Sequence, residues 1–172
     1  SLKSLYLIDS IKGWVPPARS PKRFRMGEKR YFADPSIAMS SLGMDPEALL
    51  HDWQTFGLVF ENLCMRDLLV YARMLPKIGR EPIRYYHDDS GLEVDAIIEL
   101  TDGRWAALEI KSSQAKVSEA TENLNRLRAK LTKNKKARIR EPEFMAVIVG
   151  ISEMTYQTSD GIYVVPITDL TA

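Results

Sequence analysis

The sequence predicts an α/β protein of the α+β kind: a mixed sheet flanked by helices. Three observations carry this. A long helical region is followed by three strand-like runs, an amphipathic helix and an unbroken apolar run. Only turn signals separate the three runs, so they form an antiparallel meander. The amphipathic stretch before the apolar run is a crossover helix, which makes the sheet mixed and covers its faces.

The elements follow in order. Residues 1–30 read as irregular, with "WVPPARSP" breaking any helix. The opening "SLKSLYLIDSIKGW" has apolar residues at Leu2, Leu5, Leu7, Ile8 and Ile11, like the end of a helical unit. It starts with Ser and reads as the middle of a unit, so a piece of a longer chain is expected; it carries no signal-peptide pattern. "KRYFADPSIAMSSLG" gives a short strand, a turn at Asp34-Pro35 and a short helix ending at Gly43.

Asp45 then caps a helical region that Pro46 enters favourably. A break near Gly57 is expected, with a long helix over about 55–75 that Pro76 and Gly79 end. The three strands are "PIRYYH" (82–87), "LEVDAIIEL" (92–100) and "RWAALEIKS" (104–112). Val117, Ala120, Leu124, Leu127 and Leu131 mark a helix over 115–133. "FMAVIVGI" (144–151) is a buried strand, and "GIYVVPI" (161–167) a peripheral one.

Composition narrows the function classes. Apolar residues are 45% and charged residues 27% of the 172, as in an ordinary globular protein. No apolar run nears the ~20 residues of a membrane span, and a cytoplasmic protein is expected. Two histidines and one cysteine leave little for a zinc site, and Cys64 reads as a small buried hydrophobe. No phosphate-binding glycine loop occurs, so any nucleotide chemistry lies outside this segment.

The net charge of +1 hides two basic blocks. Residues 19–30 carry six basic residues and one acid; residues 126–140 carry eight and none. Arg126, Arg128, Lys130, Lys133, Lys135 and Lys136 are the candidate phosphate contacts, against the reading of a solvated helix end and loop. Trp14, Trp53 and Trp105 are expected to be packing anchors, with Trp105 walling the carboxylate face. His51 and His87 have no partner at catalytic spacing.

The chemistry is in "GLEVDAIIELTDGRWAALEIKSS", residues 91–113. Asp95, Glu109 and Lys111 lie inside apolar strands, where an unpaired charge costs several kcal/mol or more. Alternation puts Glu93, Asp95, Ile97 and Glu99 on one face, and Trp105, Ala107, Glu109 and Lys111 on one face of the next strand. A three-residue loop, Thr101-Asp102-Gly103, sets Asp95 across from Glu109; a two-residue Asp102-Gly103 turn separates them. The three-residue loop is expected, because the other register scatters the charges over two faces. Opposed carboxylates need a positive partner: Lys111, or a divalent cation with hard oxygen ligands, Mg²⁺ or Mn²⁺. Glu61 lies on an apolar helix stripe with Gly57, Leu58, Cys64, Met65 and Leu68, and can point across the sheet edge toward Asp95.

"GLEVD" followed by "LEIK" resembles the signature of the PD-(D/E)XK nuclease-like superfamily, whose core order is α-β-β-β-α-β. The resemblance implies that Asp95 and Glu109 bind the metal, that Lys111 orients the attacking water, and that Glu61 is the helical glutamate. The glutamine and tyrosine helix motif of RecB-like members has no clear counterpart: Gln114 stands close to Lys111, but no tyrosine follows it in the helix.

"LIDSIKGW", "KRYFADPSIA", "FGLVFENLCMRDL" and "GIYVVPITDL" together look like the C-terminal domain of bacterial putative AAA-type ATPases. That likeness implies residues 1–44 as an extension, the end of a winged-helix-like piece and linker, and 45–172 as the nuclease-like domain. It implies an ATPase domain of the same polypeptide as partner, with ATP bound there. Two functions are expected from it: a Mg²⁺- or Mn²⁺-dependent phosphodiesterase acting on nucleic acid, or an inactive nuclease-like fold serving as a regulatory, nucleic-acid-binding or partner-binding module.

Overall fold

The computed structural model describes residues 6–16, 27–133 and 139–171. Eight strands form one mixed sheet: β1 (Ile8–Gly13), β2 (Lys29–Phe32), β3 (Arg84–His87), β4 (Glu93–Glu99), β5 (Trp105–Lys111), β6 (Phe144–Val149), β7 (Tyr156–Gln157) and β8 (Tyr163–Pro166). The order across it is β2-β1-β3-β4-β5-β6-β8-β7. Among the described residues four α-helices accompany it: α1 (Pro35–Leu42), α2 (Pro46–His51), α3 (Trp53–Met74) and α4 (Val117–Thr132). The central run α3-β3-β4-β5-α4-β6 has the expected α-β-β-β-α-β order.

β3, β4 and β5 form the antiparallel meander, and β6 and β8 add to it in parallel. Parallel β5 and β6 require a crossover, which α4 supplies. One core lies under α4, where Leu124, Leu127 and Leu131 meet Ile97, Ala107 and Val147. The other lies under α3, where Met65, Leu68 and Leu69 share a cluster with Ala96, Ile98, Leu108, Ile110 and Ile148.

Several expectations are corrected. Ile8–Gly13 is a strand paired with β2 and, in parallel, with β3, where apolar spacing suggested a helix end. Trp14, just beyond it, is buried and stacked on Trp105 at 5.4 Å between ring centroids. The helical region breaks at Asp52, not Gly57: Asp52 Oδ1 accepts from the Gln54 and Thr55 amides, and Gly57 continues inside α3. Local side-chain capping there outcompetes a weak helix former. The small strand β7 was not foreseen; at two residues it has no periodicity to read. Trp53 is 58% exposed and among the described aromatic rings meets the edge of Phe56, so it is no core anchor. Trp105 begins β5 at the end opposite Lys111, so it walls the core under α4 and not the carboxylates.

Candidate active site

The β4–β5 turn sets the register. Gly103 adopts φ +82, the Gly103 amide donates to the Leu100 carbonyl at 3.0 Å, and the Leu100 amide donates to the Arg104 carbonyl at 2.8 Å. Only glycine takes that left-handed conformation without steric cost. Leu100 and Arg104 therefore close the three-residue loop, and the ladder runs from Glu99↔Trp105 to Ala96↔Leu108. The next step brings Asp95 level with Glu109.

There the regular pairing gives way. On the other side of β4, Arg84 pairs with Ile97 and Tyr86 with Val94, so two steps on β3 face three on β4. This bulge interrupts the alternation expected for 93–99: Val94 and Ile97 both enter the core under α4. Asp95 sits in the bulge, and its Oδ2 accepts from the Ile110 amide at 2.9 Å. The carboxylate thus replaces a missing ladder partner and is fixed to the β5 backbone.

Glu109 lies between Leu108 and Ile110 on β5, with only 2% of its side chain exposed. Its Oε2 is 2.8 Å from Lys111 Nζ, while its Oε1 is buried and receives no hydrogen bond. Burial, and next the Asp95 carboxylate, push the Glu109 carboxyl up to about 8; Lys111 opposes the shift. The Asp95 carboxylate is a near neighbour of the Glu109 carboxyl. With both ionised, Glu109 Oε1 has no donor. Lys111 is held above its ordinary value: burial works against this, and the field and hydrogen bond of Glu109 with the fields of Asp95 and Glu119 together outweigh it.

Glu61 reaches the same place from α3. Its Oε1 accepts from the Tyr31 hydroxyl at 2.7 Å. Burial and the neighbouring Asp95 raise its carboxyl above the usual range. Asp95 therefore joins two groups: Glu109 and Lys111 on β5, and Glu61 with the residues of β2.

Those β2 residues were not singled out from sequence. Lys29 pairs closely with Glu93, lies 3.7 Å from Asp95 Oδ1, and stands 5.2 Å over the Tyr85 ring. Burial would lower Lys29, but the Glu93 bond and the fields of Asp95 and Glu61 raise it overall. Burial and then Glu61 push the Tyr31 phenol far up. β2 is docked by Asn62 of α3, buried at 6% exposure: its Oδ1 accepts from the Phe32 amide and its Nδ2 donates to the Phe32 carbonyl, both at 2.8 Å. The available signal was the alternation in "KRYF", which puts Lys29 and Tyr31 on one side of a strand. A cleft of about 610 Å³ between α1, β2 and α3 opens beside Lys29 and Glu61, with Leu42 and Leu58 on its walls.

The basic residues of α4 divide. Lys130 pairs with Asp88, and Arg128 donates to Asn125 Oδ1 at 2.6 Å and to the Asp160 carbonyl at 3.5 Å. Arg126 and Lys133 are exposed. Lys135 and Lys136 lie outside the described residues. Gln114, in a short 3-10 turn before α4, donates to the Tyr156 hydroxyl at 2.5 Å, so a tyrosine from β7 meets it.

Residues 56–170, two thirds of the chain, match the family described as Domain of unknown function (DUF4143). The chain belongs to the DUF4143 family. All four charged positions predicted from sequence, Glu61, Asp95, Glu109 and Lys111, fall inside the DUF4143 match, whereas Lys29 and Tyr31 precede it. No curated protein and no solved structure matched the chain. Among the described residues no helix is long and apolar enough to cross a membrane.

Whether these residues fit a divalent cation is a question of donors. Among the described residues no three His, Cys, Asp or Glu side chains form a ready-made metal group. Asp95 and Glu109 nevertheless offer two hard oxygen donors, one of them the unbonded Glu109 Oε1. Two carboxylates with water completing the shell suit Mg²⁺ or Mn²⁺. The residues fit the ion as a two-ligand, water-rich site.

Proposed function

We propose that this DUF4143 domain is a divalent-cation-dependent phosphodiesterase acting on nucleic acid. One observation carries the reading: once Glu109 is ionised, its buried Oε1 is a carboxylate oxygen with no donor, beside the Asp95 carboxyl. Such an oxygen costs on the order of 1–3 kcal/mol or more, and folded proteins keep that cost where function repays it. A cation bound by Asp95 and Glu109 would satisfy it.

When bound, Mg²⁺ or Mn²⁺ supplies a Lewis acid for the phosphoryl oxygen and lowers the pKa of water. The protein's own residues do the rest. The Ile110 amide holds the Asp95 carboxylate in one orientation. Lys111, kept protonated by Glu109, donates hydrogen bonds to the attacking water and to developing negative charge. Glu61, oriented by Tyr31, is the remaining acceptor on the opposite side of Asp95. Arg126 and Lys133 are the exposed charges of α4 that would track a phosphate backbone. An ATPase domain of the same polypeptide, carrying the ATP, belongs to the same proposal.

A second reading has its own support: Lys29 and Lys111 already pair with the carboxylates. On this reading the cluster is an internal ionic network, and the domain is a binding or regulatory module. Calorimetric titration with Mn²⁺ separates the two, using wild type, Asp95→Asn and Glu109→Gln. Cation binding that both substitutions abolish, followed by Mn²⁺-dependent cleavage of single- or double-stranded DNA or RNA, is the expected result. No binding to folded wild type leaves the module reading.

A further inference from the structure

β2 places a lysine where a cation is expected, and this has a consequence for the site. Four carboxylates gather around Asp95: Glu61, Glu93, Glu109 and Asp95 itself. Two lysines face them. Lys111 is paired with Glu109, which leaves Lys29 for Glu93, Asp95 and Glu61. Fully ionised, the cluster would have two more negative than positive charges, the charge of one divalent ion.

We propose that Lys29 is a tethered counter-ion of this site, standing in for part of the charge of a divalent cation and competing with it for Asp95. The inference rests on the cation reading of Asp95 and Glu109. A divalent ion on the Asp95 carboxylate would lie within a few ångströms of an ammonium 3.7 Å from Asp95 Oδ1. Two positive charges at such a separation repel by several kcal/mol even at an effective dielectric near 20. Lys29 can leave: its side chain is 25% exposed, and it hangs from a strand at the edge of the sheet. It can also return, because the Tyr85 ring and Glu93 both hold its ammonium head. Glu93, 44% exposed, contributes the outer half of the clamp and no buried donor.

The geometry separates Lys29 from Lys111. Lys111 shares β5 with Glu109 and bonds the oxygen that is not the orphan, so it leaves Glu109 Oε1 open to an ion. Lys29 approaches Asp95 from β2, on the side of Glu61. It therefore competes for the ligand that connects the two halves of the cluster.

The test is calorimetric titration of the whole chain with Mn²⁺ at pH 8, comparing wild type with Lys29→Met, Lys29→Gln and Lys29→Arg. Glu109→Gln serves as the control for the cation site, and circular dichroism confirms folding of each variant. The proposal expects Lys29→Met and Lys29→Gln to bind Mn²⁺ about fivefold or more tightly than wild type, with Lys29→Arg close to wild type. Binding by the neutral variants alone supports the counter-ion role of Lys29, with the ammonium holding the cation's place in the native chain, and leaves the module reading of the function. Unchanged or weaker binding in both neutral variants, with wild-type binding that Glu109→Gln abolishes, overturns the role of Lys29 and leaves the cation site standing. No binding in wild type or in either neutral variant overturns both.

Discussion

Glu109 makes the stability of the protein without divalent ions depend on pH. Its ordinary value is 4.5 and burial beside Asp95 raises it to about 8, so the folded chain holds a proton that the unfolded chain releases earlier. A raised acid contributes stability fully below 4.5, and that stability is lost as pH rises toward 8. Glu109→Gln removes the titrating group. In EDTA it is expected to be within about 1 kcal/mol of wild type at pH 5 and more stable by about 1–3 kcal/mol at pH 8.5, read from urea unfolding. A wild-type stability flat between pH 5 and 8.5 would refute the shifted carboxyl. Asp95 acts through its bond to the Ile110 amide, which an amide oxygen can also accept. Asp95→Ala should cost about 1–3 kcal/mol by leaving that amide unpaired, and Asp95→Asn distinctly less. Equal losses in the two variants would mean that the bond carries no stability.

At the scale of elements, the site is built where strands stop being regular. The β4 bulge turns Asp95 out of the ladder, and Asn62 clips β2 on to α3 so that Lys29 and Tyr31 overhang Glu61. Asn62→Ala breaks both bonds to Phe32 and should destabilise the chain by roughly 2 kcal/mol. It should also speed hydrogen exchange at the Phe32 amide well before that of β5. Uniform exchange across the sheet would show β2 to be no separate unit. Gly150, after β6, lets α3 approach the end of β5: a Cβ there would lie 2.9 Å from the Ser112 carbonyl and 3.3 Å from the Phe60 ring. Gly150→Ala is expected to cost about 1–3 kcal/mol in thermal or urea unfolding, because a backbone carbonyl cannot move aside as a flexible side chain can.

For the whole molecule, the two sides of the sheet have different jobs. α3 and β2 bring charges to Asp95 from one side; α4 covers the other with Leu124, Leu127 and Leu131 and turns its basic residues outward. Lys130 and Arg128 serve contacts within the chain, and Arg126 and Lys133 are the exposed basic residues of α4 and its end that the proposed phosphate contact rests on, Arg126 also donating to Asn123 Oδ1. Replacing both by Gln should weaken DNA binding about equally for all sequences and lower the salt slope by about 2. An unchanged slope in fluorescence anisotropy would remove α4 from the interface.

Much of this was legible beforehand. The meander, the crossover helix and the buried strand follow from periodicity, which is a local property of the chain. The opposition of Asp95 and Glu109 was legible too, since a left-handed glycine in a three-residue loop determines the register. What sequence alone determined is therefore the central α-β-β-β-α-β order and the identity of the acid-acid-lysine cluster on β4 and β5. Tertiary structure decided what surrounds it. The bulge at Asp95 arises from a mismatch between β3 and β4, two strands that do not count in step. Lys29 reaches Asp95 across 66 residues because pairing with β1 and the Asn62 clip dock β2 there, and bonds between distant segments leave no period in either of them.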